Sequence, residues 1–315
     1  MTPTKSDGVH EPVLADEVAE YLGAAGEGTY IDMTAGAGGH LARLSEVLPP
    51  TAHLCGIDRD PSAVARVKAR AGTWAQSASI VHGNYADLDD LVTALGHSVF
   101  RGILLDLGLS SDQLDDPSRG FAFKDKGPLD MRFDPGLTTT AADLVNRAER
   151  GELIRILREF GQERTAKRLA EAIVRERRKH VIGTTEQLTD IVTACCPPPH
   201  RTKTLARVFQ ALRIAVNHEL DHLAGVLPVA LDHLDPGGRF AVIAYHSLED
   251  RLIKRFFAEQ AKGCVCPPKA PVCICGRKPT IKLITRRVVK PSETEIARNP
   301  RARSARLRVA ERIAA

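Results

Sequence analysis

Long apolar runs are missing from this chain: nowhere in its 315 residues is there anything near the ~20 consecutive apolar residues that a membrane span requires. The opening segment, MTPTKSDGVHEP, is polar and offers no apolar core for an export signal. Internal repeats are missing too, which sets aside solenoid and propeller arrays. Seven cysteines in a long chain without an export signal do not make the framework of a small disulfide-stapled domain. The absences together lead to the expectation of a cytoplasmic protein with no membrane partner.

Hydrophobic residues make up 43% of the chain among mixed charges, as in soluble globular proteins. The length exceeds one ordinary domain, so a large α/β domain with a smaller companion is expected. The net charge of +5 hides an uneven distribution. Residues 277–312 hold 12 Lys or Arg against 3 Glu, a local +9, and residues 147–213 hold 15 against 8 acidic residues, a local +7. A solvated helical face accounts for many such runs. Two separate basic stretches on an otherwise acidic chain favour a polyanion partner, because neutralising phosphates releases counterions and supplies sequence-independent affinity.

The first hundred residues alternate short apolar runs with helical patterns, the signature of a parallel sheet wound with helices. Strands are predicted at Thr29 to Asp32, His53 to Asp58, Ala78 to His82 and Gly102 to Asp106. Asp60-Pro61 supplies an N-cap and a first-turn proline for the helix after the second strand. From Asp115 to Leu234 strand patterns are absent, and apolar residues recur at helical spacing, as at Leu205, Val208, Phe209, Leu212 and Val216. Asp235-Pro236-Gly237-Gly238 reads as a turn, after which Arg239 to Ala244 resumes the strand pattern. A helix is expected after Ser247, with Ser247 as cap and Asp250 reaching back. Ile281 to Ile284 and Ala305 to Val309 are predicted as an antiparallel pair at the sheet edge. Residues 1–114 with 235–315 are thus expected to form a doubly wound α/β domain, and residues 115–234 an inserted helical domain.

Asp32-Met33-Thr34-Ala35-Gly36-Ala37-Gly38-Gly39-His40 lies between a strand and a helix, where doubly wound folds bind ligands. Glycine there removes side chains that would keep a ligand from the backbone. The dinucleotide fingerprint fails, because its third glycine would fall on Leu41. Asp58 ends the second strand, where a carboxylate can accept hydrogen bonds from both ribose hydroxyls of an adenosine. Each residue alone could serve only a turn or a helix cap; their placement at successive strand ends points to an adenosine-based cofactor.

Several stretches resemble the MraW family of bacterial 16S ribosomal RNA cytosine-N4 methyltransferases: Tyr30 to His40, Gly56 to Pro61, Gly102 to Ser111 with Gln113 to Asp115, Arg119 to Phe123, Gly127 to Arg132, Tyr245 to Arg251 and Asn299 to Ser304. The last four are more specific than the glycine loop, since no generic cofactor fold requires them. The resemblance implies a class I methyltransferase (Rossmann-like) fold with an inserted helical domain. It also implies S-adenosylmethionine as methyl donor, and N4-methylation of a cytidine in the decoding region of 16S rRNA within the small ribosomal subunit. By matching positions, the family's cofactor contacts fall on Gly38, Gly39, His40, Asp58, Tyr85, Asp106 and Gln113. Tyr85 stands where relatives often carry Phe, and the exchange keeps an aromatic face beside the adenine.

A cytosine amino group is a poor nucleophile because its lone pair is delocalised into the ring. A group that accepts its N–H hydrogen bonds and pulls the nitrogen toward tetrahedral geometry would free that pair. Asp106, ending the fourth strand, is the candidate catalytic acceptor, with Ser110 on the following loop and His246 after the fifth strand as candidates for base contact. His246 is equally suited to satisfy backbone groups of the next helix. The motif here, Asp-Leu-Gly-Leu-Ser, departs from the Asn/Asp-Pro-Pro-aromatic signature of many amino methyltransferases. C5 methylation would need a cysteine near the base, and neither the Asp106 nor the His246 loop holds one.

Cys264, Cys266, Cys273 and Cys275 form two C-x-C pairs around a Pro-rich loop. Two readings stand: a closed structural zinc site, or free thiols in a redox-sensitive loop. Two other functions share parts of the pattern. A nicotinamide oxidoreductase would use the glycine loop and Asp58 but leaves Arg119 to Arg132 unexplained; a non-enzymatic RNA-binding factor would use the basic stretches and need no cofactor pocket.

Overall fold

The computed structural model describes residues 12–264, 266 and 275–314. Strands β1 (Thr29–Asp32), β2 (His53–Asp58), β3 (Ser77–His82), β4 (Phe100–Asp106), β5 (Leu234–Ala244), β6 (Ile281–Leu283) and β7 (Arg306–Arg312) form one sheet in the order β3-β2-β1-β4-β5-β7-β6. The first five run parallel; β7 is antiparallel to β5, and β6 to β7. This is the class I methyltransferase arrangement, with the expected antiparallel pair closing one edge.

Parallel strands covered on both faces must be apolar on both, and β4 obeys this: Ile103, Leu104 and Leu105 are all fully buried. Alternate residues then enter opposite layers. Ile103 and Leu105 join Ile57, Phe240 and Val242 in one apolar cluster, while Leu104 joins Leu54, Ile243 and Leu41 in the other. Helices α1 (Ala15–Gly23), α2 (Gly39–Val47), α3 (Pro61–Ala71) and α4 (Leu88–Leu95) occur between these strands or just before them. Helix α3 starts as its sequence dictates: Asp60 accepts a hydrogen bond from the Ser62 N–H, with Pro61 in the first turn.

The chain divides into two compact units, one running up to Gly108 and resuming at His222, the other Leu109–Asp221. The second contains α5 (Ser111–Asp115), α6 (Ala141–Arg147), α7 (Arg150–Glu159), α8 (Ala166–Arg177), α9 (Thr185–Ala194) and α10 (Arg201–Asn217). It has its own core, which includes Leu153, Leu157, Leu169, Ile173, Val208 and Leu212. Its described residues contain no strand. Helices α11 (Glu219–Asp232), α12 (Ser247–Gln260) and α13 (Glu293–Arg298) complete the chain. No described helix is long and apolar enough to cross a membrane.

The boundaries read from sequence, 115 and 234, differ from this division. Helical periodicity marks α11 without telling which core receives it, and Leu223, Val226, Leu227 and Ala230 pack in the same cluster as Phe100 and Phe240 of the sheet. The Asp235 to Gly238 segment does not precede the strand, since β5 already begins at Leu234. It lies within β5 as a bulge, where the pairing moves from Phe100 opposite Leu234 to Gly102 opposite Arg239 and Gly237 takes φ 78. The start of α12 also differs by one residue. His246, not Ser247, is the N-cap; its ring accepts from the Glu249 N–H, and the Glu249 carboxylate accepts from the His246 N–H at 3.1 Å. A cap spacing of three fits both His246/Glu249 and Ser247/Asp250, and the general preference for serine chose the wrong pair.

Candidate active site

Parallel pairing brings the carboxyl ends of β1, β2 and β4 to one edge of the sheet, with β1 between the other two. This reversal of strand order is where doubly wound folds open a crevice. After β1 the chain turns through Gly36 (φ 53) and Gly38 (φ 77), conformations that favour glycine. At Gly38 a Cβ would also press on Val67 of α3 at 3.3 Å, so this glycine serves its own packing, whereas at Gly36 the nearest atom would be 3.8 Å away and the side is open. Gly39 begins α2, where a Cβ would meet Pro12 at 3.0 Å.

Asp58 is tied into this loop. Its Oδ2 accepts from the Gly36 N–H at 2.7 Å and its Oδ1 from the Asp60 N–H at 2.8 Å. A carboxylate has about four lone-pair sites, so each oxygen keeps one for a hydroxyl of a ligand. Burial raises its pKa despite those two bonds, the condition of an acceptor awaiting further donors.

Asp106 is the hub of a second network. Tyr245 Oη donates to its Oδ1 at 2.9 Å, His40 Nε2 lies 3.3 Å from its Oδ2, and its backbone N–H donates to Thr34 Oγ1 at 2.7 Å. The Thr34 hydroxyl in turn donates to Asp32 Oδ1 at 3.0 Å. Asp32 is fully buried, and burial pushes its carboxyl up to about 6, although the His40 charge and the Thr34 bonds oppose this. For His40, burial disfavours the charged ring, but the Asp106 bond and the Asp106 and Asp32 charges outweigh it and raise the pKa. Burial and the Asp106 charge hold the Tyr245 phenol well above its ordinary range. Two buried atoms here, Asp32 Oδ2 and His40 Nδ1, have no hydrogen-bond partner. Buried polar atoms without partners are uncommon. With the open side at Gly36 they suit a polar ligand such as the amino-acid end of S-adenosylmethionine. Asp106, whose side chain is 23% exposed against 5% for His40, is the member of the network open to a substrate.

Gly38, Gly39, His40, Asp58 and Asp106 are therefore brought together at the strand ends. Tyr85 is buried after β3, its ring edge-on to His222 with centroids 6.4 Å apart. Ser110 and Gln113 belong to the helical unit, where they form the capping box of α5: Ser110 Oγ accepts from the Gln113 N–H and Gln113 Oε1 from the Ser110 N–H, each at 3.2 Å. Thr34 and Tyr245 were not singled out in the sequence, nor was Asp32 for its own sake. The available signal was a polar residue directly following or ending a buried strand. The Sγ atoms of Cys264, Cys266 and Cys275 lie within 4.8 Å of one another; Cys273 falls outside the described residues.

The family-specific stretches of the helical unit turn inward. Arg119 Nη2 donates to the carbonyls of Arg132 and Phe133 at 3.0 and 2.7 Å, and buried Asn217 of α10 bonds Met131 O and Phe133 N. A Cβ at Gly120 would strike the Pro128 carbonyl, and one at Gly127 the Pro117 carbonyl. These motifs build the fold of that unit. The basic stretches are also partly structural. Arg306 and Arg308 pair with Asp250, Arg312 bonds the carbonyls of Leu231 and Asp232, and Arg207 and Arg213 pair with Glu163 and Glu219. Lys282, Arg286, Arg287, Lys290 and Arg303 are exposed.

Residues 7–313 match the family model described as the MraW methylase family. The ribosomal RNA small subunit methyltransferase H of Heliobacterium mobile is 47% identical over 308 residues, covering 96% of this chain and 99% of that one. The protein of the same name from Thermomicrobium roseum is 50% identical over 306 residues, 97% of this chain and 94% of its own. Among solved structures, a putative rRNA-methylase from Clostridium thermocellum has a TM-score of 0.44 at 9% identity, covering 97% of this chain and 99% of that one. With a family model spanning nearly its whole length and relatives near half identity, the chain belongs to the MraW methylase family.

Proposed function

We propose that this protein is an S-adenosylmethionine-dependent methyltransferase acting on N4 of a cytidine in the decoding region of 16S rRNA, on the small ribosomal subunit in the cytoplasm. The observation that carries the reading is the Asp106 carboxylate, partly open while Tyr245 and His40 hold its two oxygens. The names of the relatives, ribosomal RNA small subunit methyltransferase H, support the substrate class.

In this reading Asp58 accepts the ribose hydroxyls, Tyr85 lies by the adenine, and Gly38, Gly39, His40 and Asp106 complete the cofactor contacts of the sheet unit. The bound sulfonium supplies an electrophilic methyl group for in-line displacement. Asp106 accepts an N–H of the cytosine amino group, which aims the nitrogen lone pair at the methyl carbon. Asp106 would take the surplus proton that the amino nitrogen gives up on methylation, which balances the transfer. Tyr245 and His40 fix the plane of that carboxylate and stabilise its charge. Ser110 and His246 are the candidates for base contact, and each also caps a helix. A cytidine embedded in folded RNA must swing out to reach Asp106, at a cost of a few kcal/mol; the exposed basic side chains would offset it through phosphate contacts. Against C5 chemistry, neither the Asp106 loop nor the His246 loop holds a cysteine, and Cys55 of β2 is fully buried, its thiol pushed up to about 12 by that burial.

The test incubates the purified protein with methyl-labelled S-adenosylmethionine and small subunits or 16S rRNA, followed by mass spectrometry of the nucleosides. N4-methylcytidine is expected. Label at C5, or transfer undiminished in an Asp106→Ala variant, would overturn the assignment.

A further inference from the structure

Between Gln260, ending α12, and Thr280, just before β6, the chain makes an excursion with its neck tied shut. The Thr280 N–H donates to Gln260 O at 3.0 Å, Thr280 Oγ1 donates to Gln260 Oε1 at 2.8 Å, and Arg277 Nη2 donates to Glu259 O at 2.9 Å. Above the neck no described residue from 262 to 280 joins the apolar core. Apolar burial gives these described residues no anchor, which is the usual circumstance for a cross-link.

Three thiols converge there. Cys264, Cys266 and Cys275 place their Sγ atoms within 4.8 Å of one another, and those of Cys264 and Cys275 are 3.8 Å apart. A disulfide requires about 2.0 Å. Thiolates at about 2.3 Å from a tetrahedral zinc ion stand about 3.8 Å from each other. The Cys266 N–H points at Cys264 Sγ at 3.4 Å, a hydrogen bond that steadies a ligand sulfur.

We propose that Cys264, Cys266 and Cys275 bind a zinc ion that clips the excursion above its Gln260–Thr280 neck. The ion displaces the thiol protons, so binding tightens as pH rises and releases protons to solvent. Arg277 and Lys278, adjoining Cys275 in the chain, offset the surplus negative charge of thiolates around a divalent ion. The site is structural, and its loss leaves the strand-end pocket intact.

The experiment uses the full chain, purified without chelator and dialysed against zinc chloride. Elemental analysis is expected to find one zinc per chain, and X-ray absorption at the zinc edge a sulfur shell near 2.3 Å. In a Cys264→Ser/Cys275→Ser variant, zinc should fall at least tenfold while the heat of S-adenosylmethionine binding stays unchanged, which shows that the variant has folded. Zinc well below one per chain in the wild-type protein would overturn the proposal. So would an oxygen and nitrogen shell without sulfur, a disulfide between two of these cysteines in the unreduced protein, or undiminished zinc in the variant.

Discussion

The acids at the strand ends and the arginines of the basic stretches make an instructive contrast. Both sets are obvious in the sequence as charge, but the fold treats them oppositely. Asp32, Asp58 and Asp106 lie at the ends of β1, β2 and β4, and the unpartnered Asp32 Oδ2 and the spare acceptor sites of Asp58 leave them incomplete. Many of the arginines are complete: Arg308 with Asp250, Arg213 with Glu219, Arg312 with backbone carbonyls. A charge whose hydrogen bonding is finished is part of the scaffold, whereas buried acids left unfinished together at the strand ends suit a ligand. Counting charge along the chain cannot separate the two.

Substitution at each kind of position sharpens the contrast. The largest effect is expected at the hub: Asp106→Ala should lower the rate of methyl transfer by about 10²–10⁴-fold, the range for a group that takes a proton in the reaction, with little change in melting temperature. A melting temperature that collapses while residual activity stays high would make Asp106 scaffold instead.

Asp32 tests burial through pH. Its carboxyl is raised to about 6 from 3.8, so the ionised form is less favoured in the fold than in the unfolded chain. The stability it contributes is full below about pH 4 and is lost as pH rises through about 6, about 3 kcal/mol in total and roughly half of it above pH 5. His40, also raised, acts in the same direction. Asp130 and Asp250, held below the usual carboxylate range despite burial by Arg132 and by Arg308 and Arg306, act oppositely at lower pH. Denaturant titrations of the ligand-free protein from about pH 5 to 8 should show stability falling with pH. Asp32→Asn should flatten the slope; an unchanged slope would remove Asp32 as its source.

Tyr245→Phe removes one hydrogen bond to a charged acceptor, about 1.5–3 kcal/mol. Transfer should slow by roughly 10–100-fold, and the effect should disappear in the Asp106→Ala background, since the phenol acts through that carboxylate. Equal losses in both backgrounds would give Tyr245 a separate role.

The smallest effect belongs to the surface. Arg286→Glu/Arg287→Glu should weaken RNA binding and reduce the slope of log affinity against log salt by about 0.7–0.9 per lost phosphate contact, at constant melting temperature. Arg308→Ala should do the reverse, lowering the melting temperature by leaving the Asp250 carboxylate to Arg306 alone while keeping the salt slope. If the two variants exchange phenotypes, the division between structural and available arginines fails.

Legibility in the sequence followed the same line. Strands β1 and β2 were readable to the residue, because each is buried almost continuously and closes on an aspartate where the sheet edge opens. The Asp235 to Gly238 bulge was not, since Asp-Pro-Gly-Gly has turn chemistry whether or not the pairing continues around it. Helix α11 was recognisable as a helix but not as a partner of β4 and β5, a tertiary fact. Asp58 and Asp106 were legible by position at strand ends. Tyr245, Thr34 and the burial of Asp32 were not, because what singles them out is convergence from the ends of β1 and β5 on one residue, Asp106.

Calorimetric titration of S-adenosylmethionine into the wild-type protein and an Asp58→Ala variant tests the strand-end site most directly. The account predicts saturable binding at one site per chain in the wild type and at least tenfold weaker binding in the variant. No heat from the folded wild-type protein with the donor or its demethylated product, or equal affinity in both proteins, would contradict it.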